Sequence, residues 1–146
     1  MKIRLATIIL LSATISLGAG LGKTVEYKDK DTVLEGYIAI TPNKKLKVPA
    51  FLIVHDWMGL SNENTQEAES LAEKGAIAMA VDIYGKGVRP KSADEAGKLA
   101  KLYKSDRKLL KERIKAAYNF LLTNKKVDPT QIVVLGYCFG GTTALE

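Results

Sequence analysis

The 146 residues predict an α/β fold: a β-hairpin, then parallel strands with helices on both faces. Three observations predict it. Thr24 to Ile40 strings β-prone residues on either side of one polar turn. Apolar runs at 49–55, 76–81 and 132–135 have the unbroken character of strands covered on both sides. Between these runs, apolar residues recur at helical spacing over stretches long enough to cross back over a sheet.

The hairpin pairs Val25-Glu26-Tyr27 with Val33–Ile40 across Lys28-Asp29-Lys30-Asp31, and Thr41–Lys45 is a loop. Pro49–His55 is a central strand, followed by a loop from Asp56 to Asn64. Asn64-Thr65-Gln66-Glu67 resembles a helix-starting box, with Ala68, Leu71 and Ala72 on one face and Gly75 as the stop. Ala76–Val81 is the next buried strand, and Asp82–Pro90 a glycine-punctuated loop. Ser92-Ala93-Asp94-Glu95 opens a second helical stretch whose apolar positions run from Leu99 to Leu122. That stretch is long for one helix, so a break is expected near Ser105-Asp106. Asp128-Pro129 turns the chain into the strand Gln131–Tyr137, which delivers Cys138.

Residues 1–22 read differently. Lys2 and Arg4 form a basic n-region, Leu5–Leu17 an apolar core, and Ser16–Gly20 a small-residue cleavage zone, the pattern of a secretory signal peptide. Residues 23–146 then form one domain of a periplasmic or secreted protein with no stable membrane association. Losing Lys2 and Arg4 lowers the formal charge from +6 to +4, spread mainly over Lys98–Lys126. No aromatic residues interleave with these lysines, which reads as a solvated helix face rather than a nucleic-acid surface. One cysteine and one histidine exclude an intrachain disulfide, a CxxC redox centre and a Cys/His zinc cluster. No metal or cofactor is expected, and the protein is expected to be a monomer.

The segment Gly136-Tyr137-Cys138-Phe139-Gly140-Gly141 carries the chemistry. It places a single thiol at a sharp strand-to-helix turn, where neighbours without a Cβ are needed. The pattern is G-x-C-x-G, the cysteine form of the nucleophile elbow. An inert core cysteine is the competing reading. The spacing does not satisfy G-x-G-x-x-G and no G-K-[ST] follows, so the glycines give poor support to phosphate cradling.

With the loop Val54-His55-Asp56-Trp57-Met58-Gly59-Leu60 and the turn Val81-Asp82-Ile83-Tyr84-Gly85-Lys86, this elbow resembles the dienelactone hydrolase family of α/β-hydrolases. The resemblance covers about residues 25–146 and implies an incomplete α/β-hydrolase fold whose last three strands are missing. It implies that Cys138 attacks an ester or lactone carbonyl, giving an acyl-thioester that water hydrolyses. The elbow's place at a helix N-terminus favours the thiolate. The oxyanion hole would use the backbone N–H groups of Trp57 and Phe139.

Asp56 stands where the family has a carboxylate, usually glutamate, that contacts the thiol and accepts its proton; a loop-capping aspartate is the alternative. His55 sits at a strand–loop junction, before the nucleophile in chain order, and reads as structural rather than as the general base. Lys86 lies where lactonases of the family present an arginine to a substrate carboxylate, and Arg89 could supply the bidentate fork that lysine lacks. Either is equally a solvated loop cation. The acid and histidine of the triad belong on later loops, so the chain is expected to be a fragment with little turnover by itself. The leading function is an exported hydrolase of a small lactone or activated ester. The alternative is a non-catalytic domain of the same fold that binds a ligand or partner.

Overall fold

The computed structural model describes residues 21–146; the signal-peptide reading falls almost wholly outside them. Five strands form one sheet in the order β1-β2-β4-β3-β5. β1 (Gly22–Asp29) and β2 (Thr32–Ile40) make the antiparallel hairpin, closed by Lys30 at φ 52°. β2 also runs antiparallel to β4 (Ile77–Val81), while β3 (Val48–Val54) lies parallel to both β4 and β5 (Val127–Gly136). The mixed sheet with helices on both faces is the α/β architecture the apolar runs predict.

Side-chain alternation along the strands divides the core. Ala50, Leu52 and Val54 of β3, with Ile77, Met79 and Val81 of β4, face α2 (Ala93–Ser105) and α3 (Arg107–Leu122). Ile53 and Ala78 face the other way, toward Ala68 and Ala72 of α1 (Asn62–Glu73). Small residues on both sides of that contact let α1 lie close to the sheet.

Helix ends follow local chemistry, with two departures from expectation. The break between α2 and α3 is where the sequence put it: the Asp106 side chain accepts the Leu109 N–H at 2.9 Å and restarts the helix. Ser92 caps α2 through the Glu95 N–H at 3.2 Å. The cap of α1, however, lies three residues before the start of the expected box. It is Ser61, and Asn64 is the N3 partner whose side chain accepts the Ser61 N–H at 3.1 Å. The second departure is Asp128-Pro129, which lies inside β5 rather than in a turn before it. Pairing with β3 is irregular between Val127 and Ile132, and a proline donates no ladder bond, so it is tolerated at this irregularity. Among the described residues β5 is an edge strand, and Val133 is 43% exposed.

Candidate active site

β3 ends at Val54, β4 at Val81 and β5 at Gly136, so the three parallel strands deliver their following loops to one end of the sheet. Those loops carry Asp56-Trp57, Asp82–Tyr84 and Cys138.

Cys138 is the residue between β5 and the short helix α4 (Phe139–Ala144). It is exposed, with φ 53° and ψ −109°. That backbone conformation costs a non-glycine residue about 1–3 kcal/mol and persists only where surroundings impose it. Here the surroundings are glycines. A Cβ on Gly136 would stand 2.2 Å from the Gly140 carbonyl oxygen, and one on Gly140 would stand 2.4 Å from that of Val54. The turn therefore closes on itself and presses against the end of β3. Phe139 is fully buried behind the thiol, stacked on His55 with ring centroids 5.8 Å apart. As the first residue of α4, its N–H has no acceptor within the helix.

The loop after β3 is held by its own hydrogen bonds. The Asp56 carbonyl accepts the Gly59 N–H at 3.3 Å, and Gly59 takes φ 87° to close the turn. The Asp56 carboxylate accepts the Met58 N–H at 2.7 Å, the geometry of a capping aspartate. Among the described residues it makes no hydrogen bond to Cys138. Trp57 is 38% exposed, and its carbonyl accepts the Tyr84 hydroxyl at 2.9 Å.

Tyr84 is a site residue that sequence reasoning missed. Burial first, then the nearby Asp56, Tyr103 and Cys138, push its phenol well above the ordinary tyrosine range, so it stays a neutral donor. It is placed by Asp82, fully buried, whose Oδ1 accepts the Tyr84 and Gly85 N–H groups at 3.1 Å each, while Oδ2 accepts the Glu35 N–H at 2.9 Å. The turn Val81–Lys86 helps carry the family resemblance, but what Asp82 and Tyr84 hold within it emerges only from the fold.

His55 is fully buried and uses both ring nitrogens, with Nε2 accepting the Ile83 N–H at 3.2 Å and Nδ1 against the Asp56 carbonyl at 2.5 Å. Burial pulls its pKa below the usual histidine value. It is a structural histidine in its contacts, as its place at the strand end suggested.

The two cations expected to read a substrate carboxylate are otherwise engaged. Lys86 Nζ pairs with Glu26 at 2.5 Å. Arg89 donates to the Val88 carbonyl at 2.9 Å and lies 3.7 Å from Asp82 and 3.9 Å from Glu35. The loops thus bring Cys138, Phe139, Trp57, Asp56 and Tyr84 to one end of the sheet, and tie Lys86 and Arg89 to carboxylates of the hairpin side.

Known proteins are similar to this chain in sequence and in fold. A protein of Aquifex aeolicus (strain VF5), named provisionally as a carboxymethylenebutenolidase, is 33% identical over 129 residues, covering 86% of this chain and 54% of its own length. The solved structure titled m3DLH superimposes with a TM-score of 0.81 at 27% identity, over 85% of this chain and 52% of that one. A dienelactone hydrolase-like promiscuous phosphotriesterase, P91, from metagenomic libraries, gives 0.78 at 27% identity with the same coverage. The chain spans about half the length of the curated relatives it matches. The model of the dienelactone hydrolase family matches residues 34–146, and the chain belongs to that family.

Proposed function

We propose that the protein is an exported hydrolase that opens a small lactone or activated ester through Cys138. The observation that carries this reading is the Cys138 backbone, held at φ 53° by two glycine contacts that leave the thiol exposed. Such a conformation is costly, and presenting a nucleophile is a use that justifies it. The Cys138 thiolate adds to the acyl carbon and the carbonyl electron pair moves to oxygen. The Trp57 and Phe139 N–H groups stabilise that oxyanion. Collapse expels the alkoxide and leaves an acyl-thioester, which water then cleaves.

Deacylation needs a base. Among the described residues no histidine or carboxylate hydrogen-bonds Cys138, and His55 is committed to backbone partners. With no such base among the described residues, deacylation is the slow step of this reading. With Lys86 and Arg89 paired to carboxylates, an uncharged acyl group suits this site better than an anionic one.

The test is p-nitrophenyl acetate. The chain should release a stoichiometric burst of p-nitrophenolate and carry one acetyl group, and Cys138→Ala should do neither. An undiminished burst in Cys138→Ala removes Cys138 from the mechanism. Export is tested by sequencing the mature N-terminus, expected roughly 18–22 residues in.

A further inference from the structure

We infer that His55 is a positioning residue of the oxyanion site: it sets which way the Asp56–Trp57 peptide faces and so aims the Trp57 N–H. The inference rests on the hydrolase reading above and concerns a residue that reading leaves unused.

The tautomer follows from the hydrogen bonds. A backbone N–H can only donate, so Ile83, 3.2 Å from Nε2, requires that nitrogen to be the unprotonated acceptor. The proton of the neutral ring is then on Nδ1, which donates to the Asp56 carbonyl oxygen at 2.5 Å. Burial disfavours the imidazolium and keeps the ring in this neutral form. The ring cannot turn away, because it is fully buried between Phe139, stacked at 5.8 Å, and Tyr84, edge-on at 4.8 Å.

The consequence concerns the next atoms along the chain. In a trans peptide the C=O and N–H point in opposite directions. His55 Nδ1 and the Gly59 N–H together draw the Asp56 oxygen into the loop, so the Trp57 N–H of the same peptide is turned out of it. Among the described residues that N–H meets no acceptor, which leaves it available to a developing oxyanion. On its other side, the Trp57 carbonyl is held by the Tyr84 hydroxyl at 2.9 Å. The same imidazole stacks on Phe139, the residue whose N–H is the second donor. One buried ring thereby registers both halves of the oxyanion site against the end of β4.

The test compares two reactions of the same thiol. Acylation by p-nitrophenyl acetate passes through an oxyanion: sulfur bonds to the acyl carbon, the carbonyl pair moves to oxygen, and p-nitrophenolate leaves. Alkylation by iodoacetamide displaces iodide at a saturated carbon and forms no oxyanion, so it reports only thiolate and access. His55→Asn keeps a donor at the position of Nδ1, whereas His55→Gln places its polar atoms one bond farther out, near Nε2. We expect His55→Asn to acylate within about 3-fold of the wild type and His55→Gln to fall about 10²-fold, the size of effect expected for a misplaced oxyanion donor. Alkylation should be equal in all three. Equal acylation by the two variants, or alkylation falling in parallel with acylation, overturns the positioning role. Should the variants fail to fold, imidazole 15N shifts of the wild type decide it: a proton on Nε2 rather than Nδ1 overturns the inference. A wild type that is alkylated but never acylated overturns the hydrolase reading and this inference with it. A wild type that acylates while both variants match it overturns the positioning role alone.

Discussion

Gly140 lies so close to Val54 that a Cβ on the glycine would stand 2.4 Å from the Val54 carbonyl oxygen, nearer than any real contact allows. The elbow is therefore seated directly on the end of the central strand, and the position of Cys138 depends on that seat. Backbone, not a flexible side chain, is what the added methyl would meet, so relief requires α4 or β3 to move. Gly140→Ala should cost about 1–3 kcal/mol, as overpacking does, measured by urea unfolding. The burst of p-nitrophenolate should fall by more than the stability loss explains, because the thiol shifts with the helix.

Arg113 of α3 meets Asp29 at the end of β1 at 2.7 Å, with both side chains more than nine-tenths buried. Its second nitrogen donates to Thr32 Oγ1 at 3.2 Å, so one guanidinium pins the helix to both strands of the hairpin. Arg113→Met leaves a buried carboxylate unpaired and should cost about 3–5 kcal/mol. Adding Asp29→Asn should recover a large part of that loss, and a double-mutant cycle by chemical denaturation measures it.

Tyr27 and Asp82 share two hydrogen bonds: the phenol donates to the Asp82 carbonyl at 2.9 Å and accepts the Asp82 N–H at 3.0 Å. Burial, then the Asp82 charge, raises the Tyr27 pKa far above its ordinary value. The unfolded chain loses this proton near pH 10 while the folded chain keeps it. The contribution is thus complete below about pH 10 and is lost as pH climbs toward the folded value. Tyr27→Phe should be less stable at neutral pH by about 1–3 kcal/mol, since it orphans a buried N–H, and its stability should fall less steeply in alkali. Thermal melts across pH 8–11 check both.

His55 gives the opposite edge of the pH range. Its pKa is lowered by burial, so below about pH 6.5 the unfolded chain binds a proton that the folded chain refuses. Stability from this group is present above about pH 6.5 and is lost as pH falls, with a limiting slope of about 1.4 kcal/mol per pH unit. Relative to the wild type, His55→Asn should show a shallower loss between about pH 6.5 and 5, where carboxylates contribute least. An identical slope in both proteins would contradict a neutral buried imidazole.

Legibility of the fold followed the range of the interactions involved. The length of the stretch to Leu122 pointed to a break near Ser105-Asp106, where the structure places the Asp106 cap, and the buried strands were visible because both faces are covered. The start of α1 was misplaced for a related reason: Asn64 can serve as a cap or as the partner of one, and only the loop geometry at Ser61 decides. Asp128-Pro129 looked like a turn, yet pairing between Val48 and Val127 draws it into β5. Around the thiol, Cys138 and its glycines were readable from spacing alone. Tyr84 and Asp82 were not, because their roles depend on partners at Trp57 and Glu35, far away in sequence.

The chain's amino-acid order alone determined the alternation of strands and helices and the single thiol between glycines, since periodicity and turn chemistry act over a few residues. It could not say what the buried imidazole holds, nor that Lys86 and Arg89 pair with hairpin carboxylates. Those outcomes are decided where strands distant in sequence end side by side, because hydrogen bonds and ion pairs depend on positions that only the folded sheet brings within about 3–4 Å.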